Sequence, residues 1–402
     1  MRVIPIVPHG TVTKAAGTLE FRVPPPLSLY VHIPWCVQKC PYCDFNSHQV
    51  RDSFPEDAYI DALIADLEAA LPLVWGRKIV SIFFGGGTPS LLSGEGLDRL
   101  LTAIRTRLPL LPEAEITLEA NPGTVETGKF AAFRAAGVNR LSLGIQSFNP
   151  EHLKALGRIH DDAEAKRAIE IAARHFDNFN LDLMYGLPGQ SIEQALADVE
   201  QALAFAPTHL SCYQLTVEPN TAFAVAPPAL PESDICADMQ EAIEARLATA
   251  DFIHYETSAF ARAGRQCRHN LNYWTFGDYL GIGAGAHGKL TLHDRVLRQM
   301  RWKQPKQYLA KVAESAPIQD EFTVDAADLP FEFMMNALRL NQGFDAALFE
   351  ARTSLPLIGI ESTLRQAEAE GLIERRPGYI APTRQGQRFL NRLLEMFLEE
   401  ND

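Results

Sequence analysis

The chain has no apolar run approaching the roughly 18 residues that a membrane helix needs. Its first twenty residues also lack an apolar stretch followed by a small-residue cleavage site. Membrane-spanning and secreted classes are therefore not expected. Positive charge is in short supply: 37 lysines and arginines stand against 50 aspartates and glutamates, a formal net charge of −13. That balance argues against broad binding to nucleic-acid backbones or anionic membranes, while leaving room for a local basic pocket. No internal repeat beyond strand–helix alternation and no low-complexity segment is present. Cysteine is scarce, with six in 402 residues. Three of them, Cys212, Cys236 and Cys267, are scattered singly and suggest no disulfide framework. A reducing cytoplasm is the expected compartment.

The other three are crowded. Cys36, Cys40 and Cys43 fall in "SLYVHIPWCVQKCPYCDFNSH", residues 28–48. Thiolates this close suit zinc or an iron–sulfur cluster. Structural zinc sites usually join two ligand pairs, and here a second pair is missing. Zinc would have to recruit His48, His32 or the distant Cys267. A four-iron cluster on three cysteines leaves one iron without a protein ligand, and an open metal position marks a reactive site.

The surrounding pattern is α/β. Six strand-like runs, "LYVHI", "IVSIFF", "EITLEA", "RLSLGI", "NLDLMY" and "LSCYQL", alternate with helical periodicity between residue 29 and about 216. In the helical stretch 56–71, Ile60, Leu63, Ile64, Leu67 and Leu71 share one face. Asp161 or Asp162 is positioned to cap the helix of "DDAEAKRAIEIAARHF". Such units imply a parallel sheet with right-handed crossovers. Polar residues recur at the ends of these runs: Gly86, Gly87 and Thr88, then Glu119, then Gln146, then Asp182, with Arg158 after a short helix. In a barrel all such ends share one face, so a barrel or partial barrel is expected over an open sheet.

Four segments follow from this pass: an N-terminal arm, 1–27; a partial (β/α)6 barrel with its cysteine loop, 28–220; an extension, 221–320; and a C-terminal unit, 321–402. The extension contains a helix over 232–249, the stretch "HNLNYW" and an unorganised region. The C-terminal unit reads as helix, two short strands around "RRPG" and a helix, a winged-helix-like α+β pattern. It carries 14 acidic against 8 basic residues, which favours a structural or docking role over DNA binding. Gly283 to Gly288 satisfies a dinucleotide-binding glycine pattern, but "KLTLHDRV" after it does not read as helix. A loop packed over the barrel mouth is expected instead.

Cys36-x3-Cys40-x2-Cys43, with Tyr42 before the third cysteine, resembles the signature of radical S-adenosylmethionine (SAM) enzymes. The resemblance implies a 4Fe-4S cluster on those cysteines, with S-adenosyl-L-methionine chelating the open iron and cleaved to a 5′-deoxyadenosyl radical. The blocks "GGGTPS", "EANPGT", "GIQSF", "LGRIH", "DLMYGLPGQ", "HNLNYW" and "GIGAGAHG" extend the likeness to the oxygen-independent coproporphyrinogen III oxidase group. The oxidases of that group carry a fourth cysteine two residues after the third, where this chain has Phe45, and a longer leading segment. The chain is more similar to the group's haem chaperone branch. That likeness implies haem binding, transfer to membrane-bound acceptors such as respiratory enzymes, and retention of cluster and SAM. Whether the chain is also an enzyme is left open; porphyrinogen oxidation and, more remotely, a zinc-dependent regulator using the C-terminal unit are the alternatives.

The resemblance assigns Tyr30, Tyr42, Gly86, Gly87, Thr88, Glu119, Gln146, Arg158 and Asp182 to SAM or a second ligand of similar size. Haem needs an axial ligand. His269 in "HNLNYW" is the candidate, with Tyr273 and Trp274 able to flank a flat macrocycle, and His287 is next. A purely packing role for His269 weighs about equally. Cys40-Pro41 resembles a haem-regulatory dipeptide, but Cys40 is assigned to iron.

Overall fold

The structure, a computed structural model, describes residues 19–50, 54–124 and 128–398. Most of the expected N-terminal arm, residues 1–18, lies outside the described residues.

All six strand-like runs form strands: β1 (Leu27–Ile33), β2 (Ile79–Gly86), β3 (Leu110–Ala120), β4 (Arg140–Gln146), β5 (Phe179–Tyr185) and β6 (His209–Gln214). They pair in parallel, in chain order. Helices cover their outer face: α1 (Glu56–Val74), α2 (Gly94–Arg107), α3 (Lys129–Ala136), α4 (Pro150–Ala155), α5 (Asp162–His175) and α6 (Ile192–Ala204). Local chemistry sets their ends. Ser93 caps α2 through Gly96 N, Asp161 and Glu164 form a capping box on α5, and Ser191 and Gln194 form another on α6. Gly137, at φ 111°, ends α3 in the left-handed conformation that glycine adopts without strain.

The two faces of these strands differ in chemistry. Leu118, Leu141, Leu143, Leu181, Leu183 and Leu210 point outward and share one core with Leu63, Leu100, Phe133 and Ile169 of the helices. Their neighbours Glu119, Arg140, Ser142, Asn180, Asp182 and Ser211 point inward, around a cavity. Closed barrels of this kind usually fill the interior with branched apolar side chains. Here the interior is polar and hollow.

The sheet continues on both sides. Beyond β6 lie the antiparallel strands β7 (Ile253–Glu256) and β8 (Ala259–Ala261), with β8 next to β6. Beyond β1 come β9 (Asp278–Ile282), parallel to it, then antiparallel β10 (His287–Thr291), β11 (Val296–Arg301) and β12 (Ile318–Thr323). The region without a legible pattern in the sequence is thus the sheet's second wing, completing an open twelve-stranded sheet. The helix expected over 232–249 is α7 (Ser233–Ala248). "RHNLNYW", a stretch with no expected element, is a seven-residue helix, α8 (Arg268–Trp274). Among the described residues no helix is long and apolar enough to cross a membrane.

The C-terminal unit has its own core around Phe333, Phe344, Phe349, Leu364 and Ile380. Helices Ala347–Thr353 and Glu361–Ala369 precede the hairpin of Ile373–Arg376 with Tyr379–Pro382, and helix Arg384–Arg388 follows. This is the winged-helix-like arrangement. Arg298 of β11 donates to Glu332 at 2.6 Å and ties the unit to the sheet.

Candidate functional site

The cysteine loop leaves β1 at Pro34 and returns at His48. A short parallel bridge joins Trp35–Cys36 to His48–Gln49 and closes the two ends together. His48 N donates to Pro34 O (2.7 Å) and Val50 N to Cys36 O (2.9 Å). The glycine run after β2 lies directly alongside. Gly87 N donates to Ile33 O and Thr88 N to Trp35 O, both at 2.7 Å. A Cβ on Gly87 would collide with the Trp35 carbonyl, so glycine is required there. On the far side, Phe223 N donates to Pro41 O (3.0 Å). Arg158 reaches both the Cys40 thiol (3.6 Å) and the Gly144 carbonyl (2.7 Å).

Asn46, three residues past Cys43, holds the loop from the other wing. Its amide donates to the carbonyls of Ala284 and Lys303, both at 2.9 Å, and its own carbonyl bonds His32 Nε2 at 2.8 Å. Ala284 belongs to the glycine-rich turn between β9 and β10. A Cβ on Gly285, at φ 82°, would strike the Asn46 amide. The turn is itself fixed from beneath: Asp66 accepts from Gly283 N (3.1 Å), Tyr308 Oη (2.8 Å) and Arg301 Nε (3.1 Å). Removing one partner of such a buried ion pair costs about 3–5 kcal/mol. The dinucleotide-like pattern thus seats the cysteine loop.

Cys36, Cys40 and Cys43 line the mouth of one cavity of about 400 Å³. Burial pushes the Cys36 and Cys43 thiols up, against the pull of hydroxyls from Thr88 and Ser47 on Cys36 and from Ser47 on Cys43. Positive charge supplied by iron reverses such a preference. Among the described residues no three His, Cys, Asp or Glu side chains converge as one ion's ligands. All three thiols open into this one cavity, and three cysteines on a single loop suit a cluster that leaves one iron without a protein ligand. The donor set fits the 4Fe-4S group.

Tyr42, Gly86, Gly87, Thr88, Glu119, Gln146, Arg158 and Asp182 line the same cavity. Glu119 Oε2 accepts from Gly86 N at 3.2 Å. Burial, and then the charge of Asp182, push its carboxyl up to about 8. Asp182 accepts from Asn180 (2.7 Å) and Ser142 (3.2 Å), and burial raises it despite them. Gln146 ends its strand at φ 71°, a conformation rare for a side chain of its type and typical of sites where strain is kept for function.

Two expected residues are not in the lining. Tyr30 bonds His32 Nδ1 at 2.9 Å and stacks on Phe83. His269 stacks on Phe83 with ring centroids 4.7 Å apart. The Phe83 ring, which does line the cavity, therefore stands between it and His269. Burial, and then the charge of Arg140, push the His269 imidazole down to about 4, so it is neutral. Its Nδ1 is buried without a hydrogen-bond partner. Tyr273 packs on Trp274 and Tyr279, and Trp274 lies under Arg339, so these rings face the C-terminal side. His287 is exposed and outside the lining.

Five contributors were not singled out by sequence. Glu115 accepts from Cys267 Sγ, Arg268 N and His269 N, capping α8 and fixing it as a plug under the lumen. Cys267 and Asn270 reach the cavity from this plug. Arg140, Phe83 and Asn46 are the others. The inward alternation of Arg140, Ser142 and Gly144 is the signal that would have found the first.

Residues 30–202 match the Radical SAM superfamily, and residues 324–389 match the HemN C-terminal domain. The protein named "Heme chaperone HemW" of Escherichia coli (strain K12) is 50% identical over 378 residues, covering 94% of this chain and 99% of that one. The protein of the same name in Bacillus subtilis (strain 168) is 34% identical over 381 residues, covering 93% and 99%. Among solved structures, coproporphyrinogen III oxidase (HemN) from Escherichia coli superposes with a TM-score of 0.79 at 25% identity, covering 93% of this chain and 90% of that one. On these likenesses the chain belongs to the radical SAM superfamily and, within it, to the family of heme chaperones named HemW.

Proposed function

We propose that the chain binds haem and passes it to acceptor proteins, with Cys36, Cys40 and Cys43 holding a 4Fe-4S cluster to which S-adenosylmethionine binds exchangeably. Membership of the superfamily implies the cluster and SAM. The haem role rests on the name of the relatives and on one observation in this chain. His269 is a neutral imidazole with a buried, unpartnered nitrogen, one ring away from the cavity. A neutral imidazole is a common metal ligand, and an unpaired buried nitrogen calls for a partner.

In this reading Tyr42, Gly86, Gly87 and Thr88 bind the SAM end nearest the cluster, and Tyr30 backs that wall through Phe83. Glu119 and Asp182 accept from its ammonium or ribose hydroxyls. Gln146 and Arg158 hold the remainder or a second ligand. The bound cluster supplies an electron and an open iron position. The chain's own part is to exclude water, orient the sulfonium and fix the thiols. Haem reaches His269 past Phe83, and the acceptors are membrane-associated respiratory proteins met from the cytoplasm.

Anaerobic reconstitution followed by haem titration tests the proposal. A shifted and saturable haem absorbance supports it; no spectral change rules it out. The structural likeness to coproporphyrinogen III oxidase keeps a second reading in view, oxidative decarboxylation of porphyrinogen propionates. Phe45, 60% exposed at the cavity mouth, stands where that group's oxidases have a cysteine. Parallel turnover assays with coproporphyrinogen and reductant decide it: protoporphyrinogen formation would favour the oxidase.

A further inference from the structure

Arg140 opens β4, at the end of the lumen away from the cysteine loop. Its side chain is 2% exposed, yet it lines the cavity. Its Nε is buried with no hydrogen-bond partner. Thr117, paired with it in register on β3, has a buried hydroxyl that is also unpartnered. Paired residues on neighbouring strands face the same side with Cβ atoms about 5 Å apart. Two unpaired polar groups side by side are rare in a folded interior and call for a missing partner.

The acids nearby do not fill that role. Glu115 and Asp182 are the nearby acids whose charge favours the Arg140 cation. No hydrogen bond or ion pair joins either acid to Arg140 among the described residues: Glu115 Oε1 accepts at the start of α8, and Asp182 accepts from Asn180 and Ser142. A guanidinium in this state is shaped for a planar, two-pronged acceptor, and a carboxylate is the natural one. Its position says which carboxylate. Arg140 lines the cavity together with Cys267 and Asn270, which flank His269 at the start of α8. A ligand with a metal at its centre and carboxylates on its edge matches an imidazole beside a cation.

We propose that Arg140 is a carboxylate-binding residue at the floor of the lumen, and that it takes a propionate of the haem bound at His269. This rests on the haem reading above. An amino-acid carboxylate, from a second SAM, is the other source of the same chemistry.

The test uses the full chain with its cluster reconstituted. Iron protoporphyrin IX and its dimethyl ester are titrated into wild type, Arg140→Gln and Arg140→Lys. SAM and its decarboxylated analogue form the second arm. Losing a charge-assisted pair is expected to weaken binding of the free acid about tenfold to a hundredfold in Arg140→Gln. The ester binds wild type and variant alike, and Arg140→Lys recovers part of the loss. The position of the haem absorbance band stays unchanged, because the axial ligand is intact. Equal affinity of acid and ester for wild type overturns the proposal, and this comparison stands even if Arg140→Gln fails to fold. If SAM, and not haem, loses affinity in Arg140→Gln while its decarboxylated analogue is indifferent, the haem assignment is overturned in favour of the amino-acid carboxylate. If wild type binds no haem at all, the haem reading itself fails.

Discussion

The two ends of the lumen are built in different ways. At the mouth, loops that follow the strands present thiols, glycine backbone and a carboxylate, and the residues come as contiguous blocks such as "CVQKCPYC" and "GGGTPS". At the floor, single side chains project from the strands, Arg140 from the start of β4 and Glu115 from the middle of β3, next to a short helix, α8. The mouth is arranged around backbone groups and sulfur, which suits a fixed inorganic cofactor. The floor is arranged around one cation and one unpaired imidazole neighbour, which suits an organic ligand that comes and goes. Enzymes on this architecture usually keep function at the mouth and stability at the base. Here the base has the chemistry of a second binding region.

The sharpest way to break this contrast is to exchange cysteines at the two ends. Cys36→Ser should abolish the brown chromophore and remove nearly all bound iron after reconstitution. Cys267→Ser, which keeps a donor for Glu115, should leave both unchanged. Equal iron loss in the two would mean that the floor cysteine belongs to the metal site.

His269→Ala comes next. Haem affinity should fall about tenfold or more, in line with loss of a metal ligand. The paramagnetic signal of the reduced cluster, and its change on adding SAM, should not move. A change in that signal would join the two ends into one site.

The mouth should also respond to pH through Glu119. Its carboxyl is raised from 4.5 to about 8 in the fold, so the neutral form is the favoured one. The stability it contributes to the ligand-free protein is full below about 4.5 and is lost as pH rises through about 8. A cationic amine prefers the ionised carboxyl. SAM affinity should therefore rise toward pH 8, by at most about tenfold per unit, while haem affinity at the floor stays level over that range. Calorimetric titration on either side of that value checks the trend, and Glu119→Gln should flatten it.

The smallest effect is expected at Asn46. Asn46→Ala removes two hydrogen bonds between the cysteine loop and the second wing. A loss of about 1–2 kcal/mol follows. It should show as a lower melting temperature and faster cluster loss, with haem affinity retained.

Legibility in the sequence follows the same division. The six strands were readable because each carries a run of buried apolar residues, and the site at the mouth because its residues form motifs. The second wing was not. β9 is five residues long, with four of them buried, and gives no alternation. β12 is exposed along nearly its whole length and gives no apolar signal. α8 spans two turns, too short for a helical stripe, and its N-terminal donors are satisfied by Glu115 from 153 residues earlier. Arg140 was hidden for a related reason. One charged residue at the head of an apolar strand looks like a solvated end until the neighbouring strands enclose it.

The bridge between Trp35–Cys36 and His48–Gln49 has a consequence for the life of the cofactor. It closes the cysteine loop through backbone groups alone, so the entropy of closure is met by the sheet rather than by iron. Asn46 and Phe223 N hold the loop from either side without any sulfur. A cluster held on this loop would then be lost as a chemical injury rather than an unfolding one.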